Sequence, residues 1–129
     1  MERMESVEGA VRFRAAVVDD ERPTMAWVGH LLRDSGRVAV VGEFDNPLEA
    51  LPAIRAEKPD LVFLDIEMPG MSGLELAERL SSDDVQPEVV FITAYNRYAL
   101  EAFKVNAVDY LVKPVLETDL LLVLDRMEK

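Results

Sequence analysis

The chain predicts an α/β domain: a single doubly wound, five-stranded parallel sheet with helices on both faces. Two observations carry this. Short apolar runs alternate five times with stretches of helical spacing, and such alternation implies parallel strands joined by crossover helices. Four of the runs also end abruptly in charged or hydroxyl side chains, which a parallel sheet would collect on one edge. A length of 129 residues makes one compact domain with one core.

Residues 1–11 show no period and read as a lead-in, so the domain is expected over 12–129. Phe13 to Val18 reads as a buried strand stopped by Asp19-Asp20-Glu21. Pro23 suits the first turn of a helix that carries Met25, Val28, Leu31 and Leu32 and ends at Gly36. Val38 to Gly42 is the second strand. Asn46-Pro47 opens a helix with Leu48, Leu51 and Ile54, stopped by Lys58-Pro59-Asp60.

Leu61 to Asp65 is the third strand, followed by the Pro/Gly-punctuated loop Ile66-Glu67-Met68-Pro69-Gly70-Met71. Ser72-Gly73-Leu74-Glu75 then has the form of a capping box, opening a helix with Leu74, Leu76, Ala77 and Leu80. Glu88 to Ile92 is the fourth strand, closed by Thr93-Ala94. A fourth helix is predicted through Tyr95, Tyr98, Ala99, Ala102 and Phe103. Val108 to Val112 is the fifth strand, ending at Lys113-Pro114, and a last helix starts near Leu116. Leu120 to Leu124 makes that helix apolar all round, which fits either deep burial or a second face turned to a partner. The end at Met127-Glu128-Lys129 carries no capping signal, so a longer parent protein is expected.

Composition excludes several classes. There is no cysteine, hence no disulfide, thiolate chemistry or cysteine metal site. No apolar run approaches a membrane span, and the charged N-terminus lacks the core of a signal peptide. The expected location is cytoplasmic, with no membrane partner. A net charge of -11 argues against direct binding to a nucleic-acid backbone.

The strand ends carry the chemistry. Asp19 and Asp20 follow the first strand, Asp65 ends the third, Thr93 the fourth and Lys113 the fifth. Three carboxylates on one edge repel one another, and a divalent ion with oxygen ligands would relieve that cost. Mg2+ suits a site of few carboxylates, a carbonyl, water and a phosphate oxygen. Lys113 could grip a phosphoryl oxygen and Thr93 could donate a hydrogen bond to another. Asp65 then reads as a carboxylate nucleophile accepting a phosphoryl group. Taken singly, each residue fits a turn, a helix cap or a surface charge. Jointly they make a site.

The segments Val17-Val18-Asp19-Asp20-Glu21, Leu64-Asp65-Ile66-Glu67-Met68-Pro69-Gly70-Met71-Ser72-Gly73, Phe91-Ile92-Thr93-Ala94 and Tyr110-Leu111-Val112-Lys113-Pro114 resemble, in order, the motifs of the CheY-like receiver domain of bacterial two-component response regulators. The resemblance spans roughly residues 13–126 and implies the flavodoxin-like strand order 2-1-3-4-5. It implies Asp65 as phosphoacceptor, with Mg2+ (Mn2+ as substitute) held by Asp20 directly, Asp19 mainly through water, Asp65 and the backbone carbonyl of Glu67. It also implies Thr93 and Lys113 as the groups that sense the phosphoryl, Tyr110 as a rotamer switch, and a cis peptide at Pro114.

The stretch from Thr93 to Ala99, with Ala102-Phe103 and Ala107 to Leu111, is similar to receivers joined to LytTR-type or SARP-type transcription-regulating output domains. The resemblance implies a sensor histidine kinase as phosphodonor and homodimerisation on phosphorylation. It also implies an output domain beyond this chain and no turnover enzyme, only a phosphoacceptor that promotes its own phosphoryl transfer and dephosphorylation. Tyr95, Tyr98, Leu121 and Leu122 are the expected interface residues.

Two other classes share parts of the pattern. A haloacid-dehalogenase-like phosphatase also uses an Asp nucleophile with Mg2+, but as an Asp-x-Asp pair after the first strand. A flavodoxin-like flavin carrier would need a Ser/Thr/Gly-rich phosphate loop after that strand. His30, the sole histidine, reads as an ordinary helix-surface residue.

Overall fold

In the computed structural model, which describes residues 11–94 and 109–128, the apolar runs pair into one parallel sheet of order β2-β1-β3-β4-β5. The strands are β1 (Phe13–Val18), β2 (Val38–Phe44), β3 (Leu61–Asp65), β4 (Glu88–Thr93) and β5 (Asp109–Val112). Four helices are described: α1 (Arg22–Asp34), α2 (Pro47–Glu57), α3 (Gly73–Leu80) and α4 (Glu117–Met127). The helix predicted through Tyr95, Tyr98 and Phe103 lies outside the described residues.

The period of two along each strand divides the core. Ala16, Val18, Val62, Leu64, Val89 and Phe91 face Ala50, Leu51 and Ile54 of α2 and Leu76, Ala77 and Leu80 of α3. Their neighbours Ala15, Val17, Leu61, Phe63, Val90 and Ile92 face Val28, Leu31 and Leu32 of α1 and Leu120, Val123 and Leu124 of α4. The central strand β3 is buried from end to end. Both faces are therefore covered, as a parallel sheet requires.

Several elements end differently from expectation. β2 runs on to Phe44, because Asp19 N–H donates to the Phe44 carbonyl at 3.0 Å and carries the β1–β2 ladder to the rim. Leu48 is exposed, since the buried stripe of α2 passes through Pro47, Ala50, Leu51 and Ile54. In the capping box, Ser72 accepts from Glu75 N–H at 3.1 Å, while the Glu75 carboxylate pairs with Arg79 one turn on. The apolar run of α4 resolves into buried Leu120, Val123 and Leu124, half-buried Leu121 and exposed Leu122. Most of that run serves the core.

Candidate phosphoacceptor site

Asp65 reaches the rim because β3 stops there: the next residue, Ile66, donates its N–H to the Ile92 carbonyl, and the chain then leaves the sheet. The loop folds back under Met68 and Met71, both buried, and re-enters at Ser72, the N-cap of α3. Gly73 N–H donates to the Ile66 carbonyl at 2.8 Å, which seats α3 directly against the end of β3.

Beside it, β1 delivers Asp19, whose side chain is fully buried, and the exposed Asp20. The Asp19 Oδ1 atom accepts from Glu21 N–H at 2.8 Å and so shapes the turn into α1. One carboxylate oxygen from each of Asp19, Asp20 and Asp65 lies within 4.8 Å of the others. From the other side, β5 delivers Lys113, whose N–H donates to the Thr93 carbonyl at 2.7 Å. Its ammonium sits 3.5 Å from Asp65 Oδ1, 3.3 Å from Asp19 Oδ2 and 2.7 Å from Glu21 Oε1. Thr93 is buried at the end of β4, opposite Val112. The Lys113–Pro114 peptide is cis.

The electrostatics follow from burial. Desolvation pushes the Asp65 carboxyl up to about 8, and the neighbouring Asp19 charge and hydrogen bonding with Asp20 and Asp19 add to it, against the opposing pull of Lys113. Asp19 is also raised, chiefly by burial, although the Glu21 N–H and Lys113 oppose the shift. Burial alone would lower the Lys113 ammonium, but Glu21, Asp19 and Asp65 outweigh it and the net shift is upward. Asp19 Oδ2 is buried with no hydrogen-bond partner and only the Lys113 ammonium at 3.3 Å to offset its charge, so it can still take a cation as a further partner. The cluster is compatible with Mg2+.

Residues 15–125 match the response regulator receiver domain family. The chain belongs to that family. The phosphatase and flavin-carrier alternatives give way to it. A response regulatory protein of Vibrio cholerae is 50% identical to this receiver over 101 residues, covering 78% of this chain and 42% of its own. The sensory transduction protein LytT of Enterococcus faecalis is 41% identical over 113 residues, covering 88% of this chain and 47% of its own. The receiver thus spans about half the length of these relatives. Among solved structures, the response regulatory domain of mrkE from Klebsiella pneumoniae superposes with a TM-score of 0.82 at 33% identity, covering 89% of this chain and 94% of that one.

Asp19, Asp20, Asp65 and Lys113 meet at one point, and Thr93 ends the strand beside them. Glu67 is exposed in the β3–α3 loop. Tyr110 is half-buried, pairs in register with Phe91 and packs on the α2/α3 side of the core. Tyr95 and Tyr98 lie outside the described residues. Glu21 had no role assigned from sequence, yet it makes the shortest of the Lys113 ammonium's ion pairs. Its place directly after the acidic pair was the available signal. Among the described residues no helix is long and apolar enough to cross a membrane.

Proposed function

We propose that this receiver takes a phosphoryl group onto Asp65 from the phosphohistidine of a sensor histidine kinase. The observation that supports this best is a buried strand-end carboxylate with two acids within 4.8 Å and an ammonium 3.5 Å away. An Asp65 oxygen attacks phosphorus, the phosphorus–nitrogen bond breaks, and its electron pair returns to the imidazole, which keeps a proton. Lys113 binds one phosphoryl oxygen through its ammonium, and the Thr93 hydroxyl donates to another. Asp19, Asp20, Asp65 and the Glu67 carbonyl would hold Mg2+, which when bound offsets the negative charge of acids and phosphoryl group. Water attacking the same phosphorus breaks the Asp65 oxygen–phosphorus bond, releases inorganic phosphate and restores the carboxylate, so the receiver takes and loses one phosphoryl group per signalling cycle rather than turning over a substrate.

The phosphoryl charge draws Thr93 inward and vacates space that Tyr110 occupies. The predicted fourth helix, β5 and α4 shift as a two-state element. That face, with Tyr95, Tyr98, Leu121 and Leu122, forms the homodimer or output contact. A transcription-regulating output domain of LytTR type accords with the greater length of the relatives and with LytT among them. The working location is the cytoplasm, where kinase and output meet. Incubation with a small phosphodonor and Mg2+ should add one phosphoryl mass to wild type and none to Asp65→Asn. Labelling of Asp65→Asn would sink the assignment. Beryllofluoride with Mg2+ should shift the wild type toward dimer, and an unchanged oligomeric state would remove the switching half.

A further inference from the structure

The tightest ion pair of Lys113 is with a residue outside the acidic triad. Its ammonium lies 2.7 Å from Glu21 Oε1, against 3.3 Å for Asp19 and 3.5 Å for Asp65. Glu21 is also the N-cap of α1, a position where a side chain ordinarily accepts from the first free N–H groups of the helix. Here it makes no capping bond. Its Oε1 accepts only a long 3.4 Å bond from the Thr24 hydroxyl besides the ammonium. The carboxylate is turned from its own helix toward the end of β5. The Glu21 side chain is 61% exposed, whereas Lys113 is 15% exposed, so Glu21 can swing into solvent when the ammonium leaves it.

We propose that Glu21 is a positioning residue that holds Lys113 more closely than Asp65 does in the resting receiver, at 2.7 Å against 3.5 Å, and competes with a phosphoryl group on Asp65 for the ammonium. The inference rests on Asp65 and Lys113 acting as proposed above. A phosphoryl group on Asp65 draws the ammonium, now 2.7 Å from Glu21 Oε1 and 3.5 Å from Asp65 Oδ1, toward its own oxygens at the expense of the Glu21 contact. Removing this latch therefore favours the phosphoryl-bound state over the resting one. The gain is bounded by the modest worth of a solvent-facing ion pair, about two- to fivefold in an equilibrium constant.

The test is calorimetric titration of beryllofluoride in saturating Mg2+ against wild type, Glu21→Gln, Glu21→Asp and Asp65→Asn, with a thermal melt of each. Glu21→Asp keeps the charge but is one methylene too short to hold the ammonium in the same place. The latch predicts that Glu21→Gln and Glu21→Asp both bind beryllofluoride about two- to fivefold tighter than wild type. A residue serving only the fold would shift the melt and leave affinity equal or weaker, which overturns the latch. Tightening in Glu21→Gln alone would mean that rim charge matters and the contact does not, which also overturns it. If wild type binds no better than Asp65→Asn, the functional reading fails and takes the latch with it. If wild type binds well and both Glu21 variants match it, only the latch fails.

Discussion

Gly73 lies against the backbone of Asp65 so closely that a Cβ there would overlap the Asp65 carbonyl oxygen and fall 3.0 Å from its carbon. The obstacle is main chain, which cannot rotate aside as a flexible side chain would. The first residue of α3 thus sets the position of the carboxylate beside it. Gly73→Ala should force the helix and the strand end apart, costing about 1–3 kcal/mol as overpacking does. Urea unfolding measures that loss. Labelling of Asp65 by a small phosphodonor should fall as well, because the carboxylate moves relative to Asp20 and Lys113.

Asp65 should make the metal-free receiver less stable as pH rises. Its carboxyl is raised to about 8 in the fold, against an ordinary value near 3.8 in the unfolded chain. Between those values the native state holds a proton that the unfolded state has lost. Stability from this group is therefore undiminished below the unfolded value and declines as pH climbs toward the folded one. The slope is about 1.4 kcal/mol per pH unit. Asp19 is raised too and acts in the same direction. Chelator-treated protein melted between pH 5 and 8 should show the decline, and Asp65→Asn should flatten most of it. A flat wild-type profile would contradict the burial argument.

Mg2+ should reverse that penalty. A ligand bound only by the native state at a hundred times its dissociation constant adds about 2.7 kcal/mol. Binding needs deprotonated carboxylates, so apparent affinity should rise from pH 6 to 8. Asp20→Asn and Asp65→Asn should lose most of the stabilisation, since each removes one oxygen of the cluster. Asp84→Asn, in the exposed loop before β4, should keep it. Melting curves with and without Mg2+ separate the three.

The strands, the helices on both faces and the residues of the rim were legible because each depends on local pattern, whereas the strand order, a long-range property, came from the family resemblance. Four strands end within a residue of the polar groups that stop them, and periods of 2 and 3.6 sort the core. What sequence hid was side-chain choice. Pro52 sits inside α2, where propensity alone argues for a break at about 3 kcal/mol. Burial of Ala50, Leu51 and Ile54 overrides it. Leu48 looks like part of the same stripe and faces solvent instead. Glu21 stands in the sequence only as the last of three acids that stop the first strand. Only the fold reveals the ammonium from β5 that it meets.

Trp27, the sole tryptophan, should report on the loop that carries Lys113. Its indole N–H donates to the Val115 carbonyl at 2.7 Å, bridging α1 to the segment just beyond Lys113-Pro114. The ring is 45% exposed and stacks on His30 with centroids 5.8 Å apart, so a displaced loop changes both its hydrogen bond and its solvation. Trp27→Phe leaves a backbone carbonyl without its donor and should cost about 1 kcal/mol by urea unfolding. Movement of Lys113 from Glu21 toward Asp65 pulls on the same connection two residues away. Beryllofluoride with Mg2+ should therefore change the tryptophan emission of wild type and leave that of Asp65→Asn fixed. Equal responses in the two proteins would separate Trp27 from the events at Lys113.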